Sequence, residues 1–294
     1  MDNLPVFYTP KMVAPSDSFS PSAAKPAHVV ASWQRLGIPL RIIEPTQATV
    51  AEFALAHDEQ HVRDILACRK NNGFGNRSAD VATSLPYTTG SMLSAARHVL
   101  RHGGAAAAPC SGFHHAGFSS VEGFCTFNGL MVTACVLRHE GLVRRVGIID
   151  CDMHFGNGTA EIVKRLDAHH WLRHFTAGDG YSHASQADDF LATLPYIVGR
   201  FDDCDIALYQ AGADPHVRDP LGGWLTTEQL RQRDALVFEG LRQIDVPVVW
   251  NLAGGYQVEL DGTIPKVLEI HDNTALECWR EFSSAATCND RQRA

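Results

Sequence analysis

Two carboxylates and an imidazole occur at alternate positions near the middle of this 294-residue chain. Asp150, Asp152 and His154 follow an apolar segment at residues 146–149 and precede a glycine. Alternate residues of an extended chain point to the same side, so these side chains share one direction at the end of a predicted strand. Carboxylate oxygen and imidazole nitrogen suit a divalent ion such as zinc. A strand end with a polar turn explains the same residues without a metal, so the motif needs support elsewhere.

Three further segments place polar side chains after an apolar stretch and beside glycine. They contain the pair His114-His115, then Asp214, then Tyr256. Glycine at such a turn lets the backbone approach a ligand or adopt positive φ. Each feature alone is commonly structural, since a histidine pair in a loop is usually solvated and Asp-Pro is a frequent turn dipeptide. Four such features at successive predicted strand ends favour one shared site.

The residue types fit hydrolysis assisted by a metal ion. Asp152, His154 and Asp214 can supply three ligands and leave coordination positions open, as in catalytic zinc sites. His114 and His115 can supply a general base and a general acid. Together these groups indicate hydrolysis of an amide or an ester.

Other polar residues in the same segments can support that chemistry. Each catalytic imidazole needs a partner that fixes its tautomer, and Asp150 and Asn157 flank the metal motif as candidates. Tyr256 can donate its hydroxyl to a carbonyl oxygen that develops negative charge.

Apolar segments alternate with helical patterns along the chain. Strands are predicted at residues 6–9, 40–43, 105–108, 146–149, 171–176, 205–209 and 246–250. Helices are predicted at residues 26–36, 50–56, 60–69, 91–102, 128–139, 190–201, 227–244, 264–270 and 275–282. This alternation is typical of an α/β fold with a mainly parallel sheet and helices on both faces. Without a linker-like break, residues 1–294 are expected to form one domain, with a polar, disordered tail at 283–294.

Composition narrows the class of protein. The net charge of −8 disfavours a nucleic-acid binder, which usually carries a basic face. No segment approaches the ~20 apolar residues of a membrane span, and the first residues lack the pattern of a signal peptide. We therefore expect a cytoplasmic protein. Its eight cysteines have no CxxC spacing and are expected to be reduced. The oligomeric state is left open.

Five motifs together resemble the histone deacetylase family of the arginase–deacetylase superfamily. They are GFHHAG (residues 112–117), EGFCTFN (122–128), IIDCDMHFGNGT (148–159), QAGADPHVRDPLGG (210–223) and LAGGYQ (252–257). Their spacing is most similar to the short class IV branch and its bacterial relatives. The resemblance implies a doubly wound sheet of about eight mainly parallel strands, the arginase–deacetylase fold.

The resemblance also implies the metals. Asp152, His154 and Asp214 would bind zinc, or iron in its place. Members of the family bind potassium near the backbone of residues 150–154. Here the neighbouring strand reads Arg-His-Phe-Thr at residues 173–176 instead of the usual Ser-Leu-His, so potassium is left as an open alternative.

The family's catalytic roles map onto matching positions. His115 would be the general base, and His114 would be supported by Asp150. Asn157 stands where many members have Asn or Asp beside the second histidine. Tyr256 would polarise the acyl carbonyl.

The substrate site is less completely matched. Phe124 would form one wall of a narrow tunnel for an acyl-lysine chain, and Gly123 and Gly254 are predicted to line the site. The second wall is not identified by a motif, and Tyr181 or His183 are its candidates.

These expectations define the predicted function. It is zinc-dependent removal of acetyl, or a related acyl group, from lysine side chains of a protein or peptide. The main alternative is deacetylation of an acetylpolyamine or another small acetylated amine. A two-metal ureohydrolase and a catalytically inactive module that reads acyl-lysine are further alternatives. The first needs more metal ligands, and the second usually lacks a ligand or the tyrosine.

Overall fold

The computed structural model describes residues 1–283. The tail predicted at 283–294 therefore lies outside the described residues, except for Ser283. The extent of the single predicted domain stays a prediction. The seven cysteines within residues 1–283 are free thiols. In that part of the chain, no helix combines the length and apolar character needed to cross a membrane.

Seven strands form one sheet within residues 1–283. Their bounds are β1 (Leu4–Phe7), β2 (Leu40–Ile43), β3 (Ala105–Ala108), β4 (Val146–Asp150), β5 (Leu172–Thr176), β6 (Ile206–Gly212) and β7 (Val248–Ala253). They lie in the order β2-β1-β3-β7-β6-β4-β5, and each neighbouring pair is parallel. The predicted α/β fold with a parallel sheet is confirmed. The described residues hold seven strands where the resemblance implied about eight.

Helices cover both faces of this sheet. Their bounds are α1 (Lys25–Trp33), α2 (Val50–Phe53), α3 (Glu59–Leu66), α4 (Ala79–His102), α5 (Gly129–His139), α6 (Asn157–Arg165), α7 (Ala187–Gly199), α8 (Thr227–Gln243) and α9 (Pro265–Phe282). Alternate residues of β3 enter different cores: Ala105 and Ala107 pack with α1, α7, α8 and α9, whereas Ala106 and Ala108 pack with α3, α4, α5 and α6. Both faces of the strands are therefore buried.

Two helices differ most from their predicted bounds. Helix α4 begins at Ala79, where Ser78 Oγ accepts a hydrogen bond from Val81 N, and it continues through Pro86. Proline and glycine lower the helix propensity of this stretch, but burial of Val81 and Thr89 outweighs that local preference. Helix α9 is continuous from Pro265 to Phe282 where two helices were predicted.

The strand order places the predicted site residues beside one another. All strands are parallel, so their carboxyl ends lie at the same edge of the sheet. The neighbouring strands β3, β7, β6 and β4 are followed by His114-His115, Tyr256, Asp214 and the pair Asp152/His154. Open α/β sheets generally bind ligands outside these ends.

Candidate active site

Three candidate metal ligands converge beyond β4 and β6. Asp152, His154 and Asp214 each offer a ligand atom, and these atoms lie within 4.8 Å of one another. The Nδ1 atom of His154 lies 3.2 Å from Asp152 Oδ1 and 3.1 Å from Asp214 Oδ2. Among residues 1–283, this is the one group of three or more His, Cys, Asp or Glu with such spacing, which disfavours the two-metal ureohydrolase.

The two buried carboxylates of this group favour a nearby positive charge. Asp152 and Asp214 are buried, and neither forms an ion pair with a lysine or arginine within residues 1–283. Burial, followed by the charge of Asp152, raises the pKa of Asp214. Hydrogen bonds to the two carboxylates raise the pKa of His154 to about 10. The two carboxylates thus favour the protonated form of His154. A divalent cation would neutralise the same two carboxylates, so this set of ligand atoms fits a metal ion.

His114 is paired with a carboxylate. Its Nδ1 atom lies 2.7 Å from Asp150 Oδ2, and its Nε2 atom lies 3.5 Å from Asp152 Oδ1. Burial alone would lower the pKa of His114, but the charges of Asp150 and Asp152 outweigh it and raise that pKa to about 9. The two carboxylates therefore favour the protonated form of His114.

Gln210 of β6 supports the contact between His114 and Asp150. Its Nε2 atom donates to Asp150 Oδ1 over 3.1 Å, and its Oε1 atom accepts from Phe113 N over 3.1 Å. Asp150 Oδ1 also accepts from Asp152 N over 3.2 Å. The fully buried Gln210 thus links the carboxylate that binds the His114 ring to the backbone that precedes His114.

His115 is paired with an amide instead. Its Nδ1 atom lies 2.6 Å from Asn157 Oδ1, and Asn157 Nδ2 donates to Glu122 Oε2 over 2.8 Å. A carboxylate only accepts, so Glu122 orients the amide with Oδ1 towards the imidazole. The pKa of His115 is lowered, first by burial and then by the charge of His114. His115 is therefore neutral, with the proton on Nδ1 and Nε2 free to accept.

Tyr256 follows β7 on a turn with two glycines in the left-handed region, Gly254 at φ 51° and Gly255 at φ 85°. The Tyr256 backbone N–H donates to Asp219 Oδ2 over 2.7 Å. Burial, followed by the nearby Asp214 charge, raises the pKa of the Tyr256 phenol far above its ordinary value. Its hydroxyl is therefore a donor at any pH used for an assay.

One pocket is lined by both histidines, the tyrosine and one of the three candidate metal ligands. Its lining includes His114, His115, Gly123, Phe124, Asp152, Gly254 and Tyr256. The ring of Phe124 lies 5.4 Å from Tyr256 and packs edge-on against Phe19 at 5.2 Å. Asp150, Asn157, His154 and Asp214 do not line this pocket, but the first three lie within hydrogen-bond distance of its lining residues His114, His115 and Asp152.

Two glycines of the pocket permit close packing of the predicted catalytic groups. A Cβ atom on Gly123 would lie 2.3 Å from the ring of His115, and one on Gly254 would lie 2.2 Å from Asp214 Cγ. Both glycines have positive φ. The structure therefore gives them a packing role, and their contact with substrate stays a prediction.

Comparison with known proteins identifies the family. Residues 21–176, more than half of the chain, match the histone deacetylase domain. The chain belongs to the histone deacetylase family. Membership identifies it as a hydrolytic deacetylase and confirms the predicted enzyme class. The roles of the individual site residues stay predictions.

Individual relatives and solved structures are also similar to this chain. An uncharacterized protein of Picosynechococcus sp. is 27% identical, covering 74% of this chain and 79% of the relative. A probable deacetylase of Methanothermobacter thermautotrophicus is 25% identical, covering 76% of each chain. The fold matches an acetylpolyamine aminohydrolase from Burkholderia pseudomallei (TM-score 0.69, 19% identity, 94% and 99% coverage). It also matches the HDA15 HD domain (TM-score 0.77, 18% identity, 97% and 92% coverage).

The candidates for the second tunnel wall are placed differently from Phe124. Tyr181 packs against Phe190 at 4.9 Å and stacks on Trp224 at 5.9 Å, both of which belong to a buried core. His183 precedes a short 3-10 turn and is exposed. Neither residue lines the pocket of this deacetylase.

Sequence patterns missed three residues at this site. Phe19 packs on Phe124, Gln210 donates to Asp150, and Lys25 is fully buried, with Nζ donating to Gly254 O. Burial lowers the pKa of Lys25 to about 8 against the opposing charge of Asp214. Gln210 lies in a matched motif and could have been noticed, whereas no pattern indicates that Lys25 is buried.

Proposed function

We propose that this deacetylase is a zinc-dependent amidohydrolase that removes acetyl, or a related acyl group, from lysine side chains. The observation that carries the proposal is a single pocket lined by two differently partnered histidines, one tyrosine and Asp152, which belongs to the cluster of three candidate ligands. Bound by Asp152, His154 and Asp214, zinc would lower the pKa of a water molecule and polarise the acyl carbonyl. Iron suits the same ligands.

The two histidines divide the proton transfers. His115 would accept a proton from the attacking water at Nε2, because its Nδ1 atom is bound to Asn157. His114, kept positive by Asp150, would supply a proton to the departing amine. Environments that push two pKa values apart are typical of an acid–base pair.

Tyr256 would stabilise the charge that develops on the acyl oxygen. Its phenol keeps its proton, and it lines the same pocket as both histidines. Phe124 would pack against the apolar chain that leads to the acyl group. A lysine side chain is long, unbranched and apolar up to its nitrogen, so it suits this wall.

An acetyl-lysine peptide tests the proposal. We expect Tyr256→Phe to lower kcat by about 100- to 1000-fold, since one oxyanion donor is lost, and to leave zinc binding unchanged. Tyr181→Phe is the matched control, because Tyr181 packs in the aromatic core. Unaltered turnover in Tyr256→Phe would refute the proposed role of the hydroxyl.

Acetylpolyamines are the second candidate substrate. The net charge of −8 is compatible with a small cationic amine, and one protein with a similar fold is an acetylpolyamine aminohydrolase. Values of kcat/KM for an acetyl-lysine peptide and for acetylputrescine separate the two candidates. A preference of more than about tenfold for acetylputrescine would reverse our ranking.

A further inference from the structure

Arg233 of helix α8 is fully buried behind the candidate metal centre. Charged side chains are seldom fully buried without a partner, and burying a charge is costly. Here Arg233 Nε donates to Asp234 Oδ1 over 3.0 Å. Asp234 also accepts hydrogen bonds from Thr274 Oγ1, at 2.6 Å, and from the Tyr209 hydroxyl. The positive charge is thus neutralised on the side away from the metal centre.

The other side of the guanidinium contacts the strands that carry the candidate ligands. Arg233 Nη1 donates to Cys151 O over 3.1 Å and to Gly212 O over 2.6 Å. Cys151 directly precedes Asp152, and Gly212 lies two residues before Asp214. One nitrogen atom therefore bridges the chain after β4 to the last residue of β6.

This bridge lies where the regular pairing of the two strands stops. The paired residues end at Asp150 and Gln210, and the next backbone bond runs from Cys151 N to Gln210 O over 3.1 Å. Beyond that point the chains approach closely: a Cβ atom on Gly212 would lie 2.6 Å from Asp152 Cα. The spacing of the strand ends therefore depends on contacts outside the sheet ladder.

We propose that Arg233 is a positioning residue for the metal centre. By bridging the Cys151 and Gly212 carbonyls, it fixes the separation of the backbone segments that present Asp152 and Asp214. The inference rests on the metal site of the proposed function. Partners that orient metal ligands typically change metal affinity 10- to 100-fold when they are removed. The planar, rigid guanidinium suits such a bridge better than a flexible ammonium group.

The test compares zinc affinity with folding stability. Arg233→Lys keeps the positive charge but loses the planar guanidinium that bridges the two carbonyls. We therefore expect the zinc dissociation constant to rise about 10- to 100-fold. Thr274→Val is the matched control, since it removes a hydroxyl from the same buried network without touching either carbonyl. We expect it to lower Tm and to leave the zinc dissociation constant within about threefold of the wild-type value. Chelator competition gives the constants, and thermal unfolding of the metal-free proteins gives Tm.

Two outcomes would overturn the positioning role. One is Arg233→Lys with a lowered Tm and an unchanged zinc dissociation constant, and the other is an equal loss of zinc affinity in Thr274→Val. If Arg233→Lys does not fold, the double variant Arg233→Met with Asp234→Asn removes both buried charges and is tested in its place. A rise in its zinc dissociation constant would support the positioning role, and an unchanged constant would overturn it.

Zinc binding is measured without substrate, so failure of the proposed function can be recognised separately. A wild-type chain that binds zinc but releases no acetate would contradict the proposed function and leave the positioning role intact. A wild-type chain that binds no zinc would contradict both.

Discussion

The Nδ1 atom of His115 lies 2.6 Å from the Oδ1 atom of Asn157, an uncharged partner. The preceding histidine faces the carboxylate of Asp150 at 2.7 Å. This difference in partner, together with burial, keeps the pKa of His115 low and that of His114 high. The proposed division of the proton transfers between the two imidazoles depends on this difference.

Replacing the uncharged partner should move the pH profile. Asn157→Asp places a carboxylate against His115 and should raise its pKa by about 1 to 3 units. His115 would then stay protonated to higher pH, so the acidic limb of kcat/KM should shift upwards. Asn273→Asp adds the same charge on helix α9 and serves as the control. An unshifted limb in Asn157→Asp would show that another group titrates.

Gly123 should be required for the position of His115. A Cβ atom at residue 123 would meet the His115 ring at 2.3 Å, and the backbone has φ 54°. We expect Gly123→Ala to lower kcat on the order of 100-fold by displacing the imidazole, with zinc affinity unchanged. Gly75 has φ 79° and open space around it, so Gly75→Ala tests the backbone strain alone. Equal kcat values for both variants would argue against the steric explanation.

Potassium should not be needed for activity. The carboxylate of Asp150 already accepts from His114, Gln210 and the backbone of Asp152. Burial lowers the pKa of His174 on β5 against the opposing charge of Asp150, so an imidazole is near this carboxylate, and an imidazole is a poor ligand for an alkali cation. We therefore expect equal kcat/KM in potassium and choline chloride at one ionic strength. Activation of about tenfold or more by potassium would contradict this account of Asp150.

His57 should make stability depend on pH. Its Nδ1 atom lies 2.9 Å from Gly117 O, and its Nε2 atom accepts from Asn128 N. Burial lowers the pKa of His57 to about 4. The unfolded chain binds the proton more readily, near pH 6.5, so this contribution to stability is complete above that pH and is lost as the pH falls towards 4.

Denaturant unfolding at pH 7 and pH 4.5 measures this effect. Between these values, we expect the free energy of unfolding of His57→Gln to fall by about 2 kcal/mol less than that of the wild type. His169→Gln, at an exposed histidine, should behave as the wild type. Identical pH dependence in His57→Gln and the wild type would show that His57 does not carry the effect.

Local patterns predicted much of the fold. Seven apolar segments were predicted as strands, and each overlaps one of the seven strands found in residues 1–283. Apolar runs of this length are informative because both faces of a parallel sheet are buried. The extension of α4 through Pro86 was not predictable, since it depends on packing between distant segments.

Part of the candidate site could likewise be predicted from the sequence, and part could not. Asp152, His154 and Asp214 were predicted as neighbours from strand-end positions, and they lie together. The contact of Asp150 with His114 was implied by the family resemblance, whereas its hydrogen bond to Gln210 was missed, because Gln210 reaches Asp150 from another strand. Arg233 was hidden for a similar reason: it lies on an amphipathic helix among other charged residues and its burial depends on how that helix packs.

The central claim is that hydrolysis depends on a metal held by Asp152, His154 and Asp214. Its most direct test is acetate release from an acetyl-lysine peptide by metal-stripped protein, with and without added zinc. We expect no release without metal, full recovery with one equivalent of zinc, and no recovery in Asp214→Asn. Undiminished release by protein shown to be metal-free by elemental analysis would contradict the account.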